Sequence, residues 1–126
     1  MPPIHVVLAH RDPGLTDNLV RSIQKQFLDL ETVNSAGDFR DTMTRRKTPL
    51  AIVDLELVDF PQLGELCHEF PSTAFVCIHR LADDTMWAQS LAAGAVDCCF
   101  ASDLPSIMYA SERYVAFKQA HAKPAA

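Results

Sequence analysis

Short strand-like segments that alternate with amphipathic segments constrain the fold of this chain more than any other feature of its sequence. Five strand-like segments follow one another, and all but the second are strongly apolar: residues 4–9, 31–35, 50–53, 73–78 and 98–100. The stretches between them carry apolar residues at helical spacing. Apolar strands that are each followed by an amphipathic helix are typical of a parallel sheet covered on both faces. We therefore predict an α/β fold, flavodoxin-like in topology, with five helices around a five-stranded parallel, doubly wound sheet of order 2-1-3-4-5.

Capping residues, prolines and glycines mark where the predicted helices begin and end. Asp12 is placed to cap the first helix, and Pro13 to occupy its first position. Pro71 is expected to stop the third helix, and Gly94 to terminate the fourth. These signals separate the helices from the strands that follow them.

Length and composition indicate one globular domain. With 126 residues, 48% of them hydrophobic and 21% charged, the chain can bury a core of its own. We place the domain at residues 1–126, with its core at about 4–118 and a frayed tail from residue 120. A net charge of −5 argues against broad binding to nucleic acid or to an anionic membrane. No segment is apolar enough for a membrane span or a signal peptide, so we expect a cytoplasmic protein.

The four cysteines show no paired spacing of the kind that zinc sites and redox motifs use: Cys67, Cys77, Cys98 and Cys99. Cys77 and Cys98 lie inside apolar runs, where a free thiol behaves as a small hydrophobic side chain. We therefore expect buried, reduced thiols. A metal site or a redox pair is the alternative.

The carboxyl ends of the predicted strands select the candidate site, because ligands of doubly wound sheets bind at that edge. The residues that follow the strands there are His10, Arg11, Asp12, Asp54, His79, Arg80, Ala101 and Ser102. Asp54 matters most, since it closes a short apolar strand at the switch point between neighbouring strands. The alternative interpretation of Asp54 is an aspartate that caps a turn.

Three segments, in this order and spacing, resemble the receiver domain of bacterial two-component response regulators. They run from Val7 to Pro13, from Ala51 to Leu55 and from Ala93 to Asp97, and the resemblance covers residues 6 to about 117. In this family the aspartate at the position of Asp54 accepts a phosphoryl group from a histidine kinase. The resemblance therefore implies that Asp54 is the phosphoacceptor position. It also implies a protein partner, either a histidine kinase or a downstream signalling protein.

The sequence departs from the family at the positions that hold Mg²⁺. Receivers carry two adjacent acids after the first strand, and His10 and Arg11 stand at those positions here. Asp12 falls on a third, variable position and is at most a weak metal ligand. Mg²⁺ prefers hard oxygen ligands, and a guanidinium cannot bind a cation at all. We therefore expect no cofactor, and Mg²⁺ only if the chain is a competent receiver.

Other positions of the family's site are also changed. The switch serine or threonine matches His79, the lysine that contacts the phosphoryl group matches Ala101, and the switch aromatic residue matches Cys98. Val58 and Gln62 stand where the family has a proline and a glycine after the acceptor. Phosphoryl transfer depends on neutralising charge on the equatorial oxygens, so losing both Mg²⁺ and lysine should impair it.

These departures favour a degenerate receiver that acts mainly through protein–protein contacts or self-association, and that is not an enzyme. The alternative is a competent phosphorelay receiver that takes a phosphoryl group onto Asp54 autocatalytically. The loop after the first strand lacks the signatures of flavin-binding and cobalamin-binding domains of the same fold. We further expect Arg11 to lie beside Asp54, with His10 and His79 nearby, as an ion pair or as an anion site without metal.

By resemblance to the family, the surface of the fourth helix, fifth strand and fifth helix is the candidate partner face. Trp87, Tyr109 and Tyr114 are the aromatic residues available there. The alternative is that all three are packing residues.

The sequence indicates no function for two further features, the basic run 45–47 and three of the histidines. The basic run 45–47 is expected to lie on a solvated helix end, where it complements the helix dipole. His5, His68 and His121 have no companions at ligand spacing.

Overall fold

The computed structural model describes residues 4–11 and 13–121. Strands and helices alternate along the whole of this range. In chain order they are β1 (His5–Ala9), α1 (Pro13–Gln26), β2 (Asp29–Val33), α2 (Ala36–Arg45), β3 (Leu50–Asp54), α3 (Phe60–Glu69), β4 (Ala74–His79), α4 (Asp84–Ala93), β5 (Asp97–Phe100) and α5 (Leu104–His121). The five strands and five helices confirm the predicted alternation.

The strands form one parallel sheet of order β2-β1-β3-β4-β5, which confirms the predicted topology. The main correction is at β2, which begins at Asp29 and not at Glu31. Its register is set by β1, since His5 pairs with Asp29 and Ala9 pairs with Val33. The polar Ser35, which the prediction placed in the strand, instead caps α2 by accepting a hydrogen bond from the Asp38 N–H.

Strand residues alternate between two apolar layers because successive side chains of a strand point to opposite faces. Val6 and Leu8 belong to the layer under α1 and α5, which also includes Ile107. Val7 belongs to the opposite layer, to which α2, α3 and α4 contribute. In that second layer Phe39 meets Phe75 edge-on, with ring centroids 6.4 Å apart. Both faces of the sheet are therefore covered, as the apolar strands predicted.

Helix ends follow local chemistry. Gly94 ends α4 in the left-handed conformation, at φ 114°, and a Cβ there would lie 2.8 Å from the Cβ of Cys67. Asp59 and Gln62 form a reciprocal capping box at the start of α3. Pro13 begins α1 as predicted, whereas its predicted cap, Asp12, lies outside the described residues. Among the described helices, none combines the length and the apolar character that crossing a membrane requires.

All four cysteines are free, as predicted, and three of them are buried. Cys77 and Cys98 are register partners on β4 and β5, in the layer covered by α3 and α4. Burial raises the pKa of both thiols, and it raises the pKa of Cys99 to about 12. Raised pKa values make these thiols poor nucleophiles.

Candidate functional site

Asp54 is the last residue of β3, and it is almost completely buried at the carboxyl edge of the sheet. Its carbonyl oxygen accepts hydrogen bonds from the N–H groups of Leu57 (2.9 Å) and Val58 (3.2 Å). Its side-chain Oδ1 accepts a third, from the N–H of Glu56, at 2.9 Å. The residue therefore stands at the predicted phosphoacceptor position and also caps the turn that leaves β3.

The charged residues at the end of β4 converge on Glu56. Arg80 donates to Glu56 Oε1 from Nε at 2.7 Å, and its Nη2 forms an ion pair with the same oxygen at 2.7 Å. His79 Nε2 lies 3.7 Å from the same oxygen. His79 Nδ1 accepts a hydrogen bond from the Leu81 N–H, so the ring proton sits on Nε2 and faces the carboxylate. We call Glu56, His79 and Arg80 the strand-end cluster.

Glu56 was missed in the sequence because it belongs to no strand end and to no family position considered there. The signal that points to it is an acid two residues after Asp54, together with His79 and Arg80 at the end of the next strand. In the structure the side chains at the end of β4 face Glu56, and not Asp54 as the sequence led us to expect. No ion pair joins Asp54 to His79 or Arg80.

The carboxyl end of β1 behaves differently. His10 is buried and continues the ladder by donating its backbone N–H to the Val33 carbonyl at 2.9 Å, so the chain leaves the sheet beside β2. Arg11 is exposed and lines an open cleft of about 830 Å³ near the ends of β1 and β2. No ion pair joins it to Asp54, and the prediction of an Arg11–Asp54 pair is wrong.

The β5 end supplies no charged group toward the site. Ala101 is partly buried, and its backbone N–H donates to the His79 carbonyl at 3.0 Å. Ser102 is exposed. The next residue, Asp103, turns to α5, where its carboxylate accepts hydrogen bonds from the N–H and hydroxyl of Ser106. No ammonium group is available at the position where the family has its lysine.

The residues present do not fit the Mg²⁺ ion that the resemblance implies. Of the carboxylates that follow β3, Glu56 is bound by Arg80, which leaves Asp54. His10 and Arg11 offer no hard oxygen ligand. In the described residues no group of three or more His, Cys, Asp and Glu side chains is arranged to hold a metal ion. Asp12, the weak candidate ligand, lies outside that range.

The aromatic residues of the predicted partner face differ in exposure. Trp87 is 48% exposed and Tyr109 62% exposed, so the interpretation of all three as packing residues is wrong for these two. Tyr114 is partly buried and packs against the core. Arg113 links the tyrosines, since its guanidinium carbon lies 5.8 Å from the ring centroid of Tyr109 and 5.6 Å from that of Tyr114.

The basic run 45–47 at the end of α2 is exposed, as predicted, but its arginines are not free. Arg46 forms an ion pair with Asp29, and this hydrogen bond lowers the pKa of the Asp29 carboxyl. Arg45 donates to the hydroxyl of Thr42 at 3.2 Å. The Arg46–Asp29 pair fastens the end of α2 to β2.

Comparison with solved structures places this fold among receiver domains. A signal receiver domain of an HD domain-containing protein from Pseudomonas fluorescens Pf-5 matches with a TM-score of 0.83 and 14% identity, covering 94% of this chain and 99% of that one. A response regulator receiver domain protein from Methanospirillum hungatei JF-1 matches with a TM-score of 0.81 and 15% identity, over 94% and 98%. A response regulator from Thermotoga maritima matches with a TM-score of 0.80 and 17% identity, covering 90% of this chain and 98% of that one.

These similarities establish the receiver-domain fold for this chain. No protein-family model matches the sequence, and no curated protein matches it either.

Proposed function

We propose that this chain is a receiver-like module of two-component signalling that acts mainly through protein–protein contacts. The observation that carries the proposal is the chemistry around Asp54. The fold of a receiver is present with Asp54 at the end of β3, while the cation of the strand-end cluster, Arg80, is bound to Glu56.

Phosphoryl acceptance at Asp54 is expected to be weak for a physical reason. The transferred group carries negative charge on its equatorial oxygens, and this charge must be neutralised in the transition state. Arg80 is engaged by Glu56, Ala101 has no charge, and Arg11 lies on the cleft near β1 and β2. One oxygen of Asp54 also accepts the Glu56 N–H, which makes the carboxylate a poorer nucleophile.

The partner in this proposal is a histidine kinase, a downstream signalling protein or a second copy of the chain. Trp87 and Tyr109 offer exposed aromatic surface for such a contact, and aromatic side chains often dominate binding energy at interfaces. The module needs no cofactor and no nucleic acid, catalyses at most its own phosphorylation, and works in the cytoplasm.

Incubation with acetyl phosphate and Mg²⁺, followed by intact-mass analysis, tests the proposal. Wild type should gain little phosphoryl mass. The variant Ala101→Lys should gain more, because it restores the lysine at the carboxyl end of β5, on the same edge of the sheet as Asp54. Adding Asp54→Asn to that variant is the matched control and should abolish the gain. Labelling of wild-type Asp54 at the rate of active receivers would contradict the proposal and support a competent phosphorelay receiver.

A further inference from the structure

In the described part of the chain no strand pairs with the outer edge of β2, because the sheet ends there. The Val33 carbonyl accepts the His10 N–H, so the backbone groups of Val33 face β1. Successive residues of a strand direct their N–H and C=O groups to opposite edges, so those of Leu30 and Thr32 face away from the sheet. A strand edge of this kind can pair with another chain.

The open cleft of about 830 Å³ borders this edge. Residues 31–34 of β2 and of the turn after it line one part of the cleft, and α2 contributes a second part of the lining. Val33 is the one apolar residue in the lining, so the cleft offers little to a compact apolar ligand. Polar side chains beside an unpaired strand edge fit an extended peptide segment, which binds mainly through its backbone.

Carboxylates dominate the charge of the cleft. Nη2 of Arg45 lies 4.0 Å from Oε2 of Glu31, so the charges of these two residues largely offset each other. Three further carboxylates in the lining are exposed, and the ion pairs of the described residues include none of them: Asp17, Asp38 and Asp41. Against them stands Arg11 with one positive charge. The cleft therefore favours a positively charged occupant.

We propose that the outer edge of β2 and the cleft beside it bind an extended segment of a partner protein that carries lysine or arginine at alternate positions. The backbone of that segment pairs with Leu30 and Thr32 and extends the sheet by one strand. Alternate side chains of a strand point to one face, so the basic side chains reach α2 together. There Asp38 and Asp41, three residues apart, lie on one side of the helix.

Fluorescence anisotropy of a short dye-labelled peptide of alternating lysine and valine, titrated with the full-length protein at low salt, tests the proposal. The peptide should bind, and added salt should weaken binding because the paired charges are exposed. The same peptide with glutamate in place of lysine should not bind. A third peptide keeps the lysines but has a fully N-methylated backbone. It should bind at least roughly tenfold more weakly, because it has no N–H to donate to β2.

Variants of the protein separate the charges from the strand edge. Asp38→Asn combined with Asp41→Asn should weaken binding of the lysine peptide roughly tenfold. Asp84→Asn is the matched control, since Asp84 is the acid in the first turn of α4 as Asp38 is in α2, and it should change nothing. Thr32→Pro removes an N–H that faces away from β1 and should weaken binding by a similar factor. If this variant unfolds, the N-methylated peptide tests the same hydrogen bonds on wild type.

Three results would overturn the proposal. The first is a dissociation constant above about 1 mM for the lysine peptide and wild type. The second is equal affinity for the lysine peptide and either of the other two peptides. The third is self-association in sedimentation that Thr32→Pro abolishes, because a second copy of the chain would then occupy the edge. None of these measurements involves Asp54 or the exposed aromatic residues, so the proposed function stands or falls separately.

Discussion

The carboxyl ends of β1 and β3 lie side by side in the sheet, yet the charged residues that follow them are arranged differently. After β3, Glu56 binds Arg80 and lies 3.7 Å from His79, which closes the edge around Asp54. After β1, Arg11 is exposed on an open cleft. A charged side chain therefore pairs with the partner that the backbone holds within reach, and not with the residue its position in a family would suggest.

Backbone hydrogen bonds explain the difference. Three bonds to Asp54 shape the turn after β3, and this turn carries Glu56 to the end of β4. The bond from His10 to Val33 instead extends the ladder between β1 and β2, which leads Arg11 away from β3. At the carboxyl edge of the sheet, the β3–β4 side is therefore closed by the contact between Glu56 and Arg80. The β1–β2 side is an open cleft that Arg11 lines.

The largest expected difference concerns thiol reactivity. Burial raises the pKa of Cys99 to about 12, whereas a thiol introduced by Asn34→Cys on the exposed cleft should keep an ordinary pKa. At pH 8 the thiolate fraction, and hence the rate of iodoacetamide labelling, should be about a thousandfold lower at Cys99. Because a raised pKa delays ionisation, the Cys99 rate should climb as the pH rises from 8 to 10. Peptide mass spectrometry measures both rates, and equal rates at pH 8 would show that the thiol of Cys99 is as accessible as the cleft.

A smaller effect is expected from Asp54 as a turn cap. Asp54→Ala leaves the partly buried Glu56 N–H without its acceptor and should lower the free energy of unfolding by about 1–2 kcal/mol. Asp54→Asn keeps an oxygen at the same position and should cost much less. Urea denaturation of the two variants provides the comparison. Equal losses would mean that the carboxylate charge, and not the hydrogen bond to the turn, stabilises this edge.

The smallest effects separate the two arginines. Arg80→Gln removes a partly exposed ion pair and should lower the free energy of unfolding by about 0.5 kcal/mol, reduced further by salt. Arg11→Gln should leave the unfolding free energy unchanged, since Arg11 is exposed and forms no ion pair with Asp54. Urea denaturation of both variants at low and at high salt measures these changes in the free energy of unfolding. A larger loss at Arg11 than at Arg80 would reverse the contrast between the two sides.

The sequence by itself determined the fold. Helices and strands follow from periodicities of 3.6 and 2, and their ends follow from local signals such as Gly94 and Pro13. The position of Asp54 at the carboxyl edge followed from the same alternation, since that edge is where the carboxyl ends of all parallel strands meet. Each of these features depends on residues close together in the chain, so it can be seen in the sequence.

Tertiary structure alone decided which polar side chains meet. The pairs Glu56–Arg80 and His5–Thr48 are 24 and 43 residues apart, and no local pattern links their members. The sequence assigned no role to His5 and none to Glu56, and it gave Arg11 the wrong partner. Hydrogen bonds and ion pairs act over a few ångströms and depend on direction, so a turn of the backbone by one residue changes the partner while leaving the fold intact.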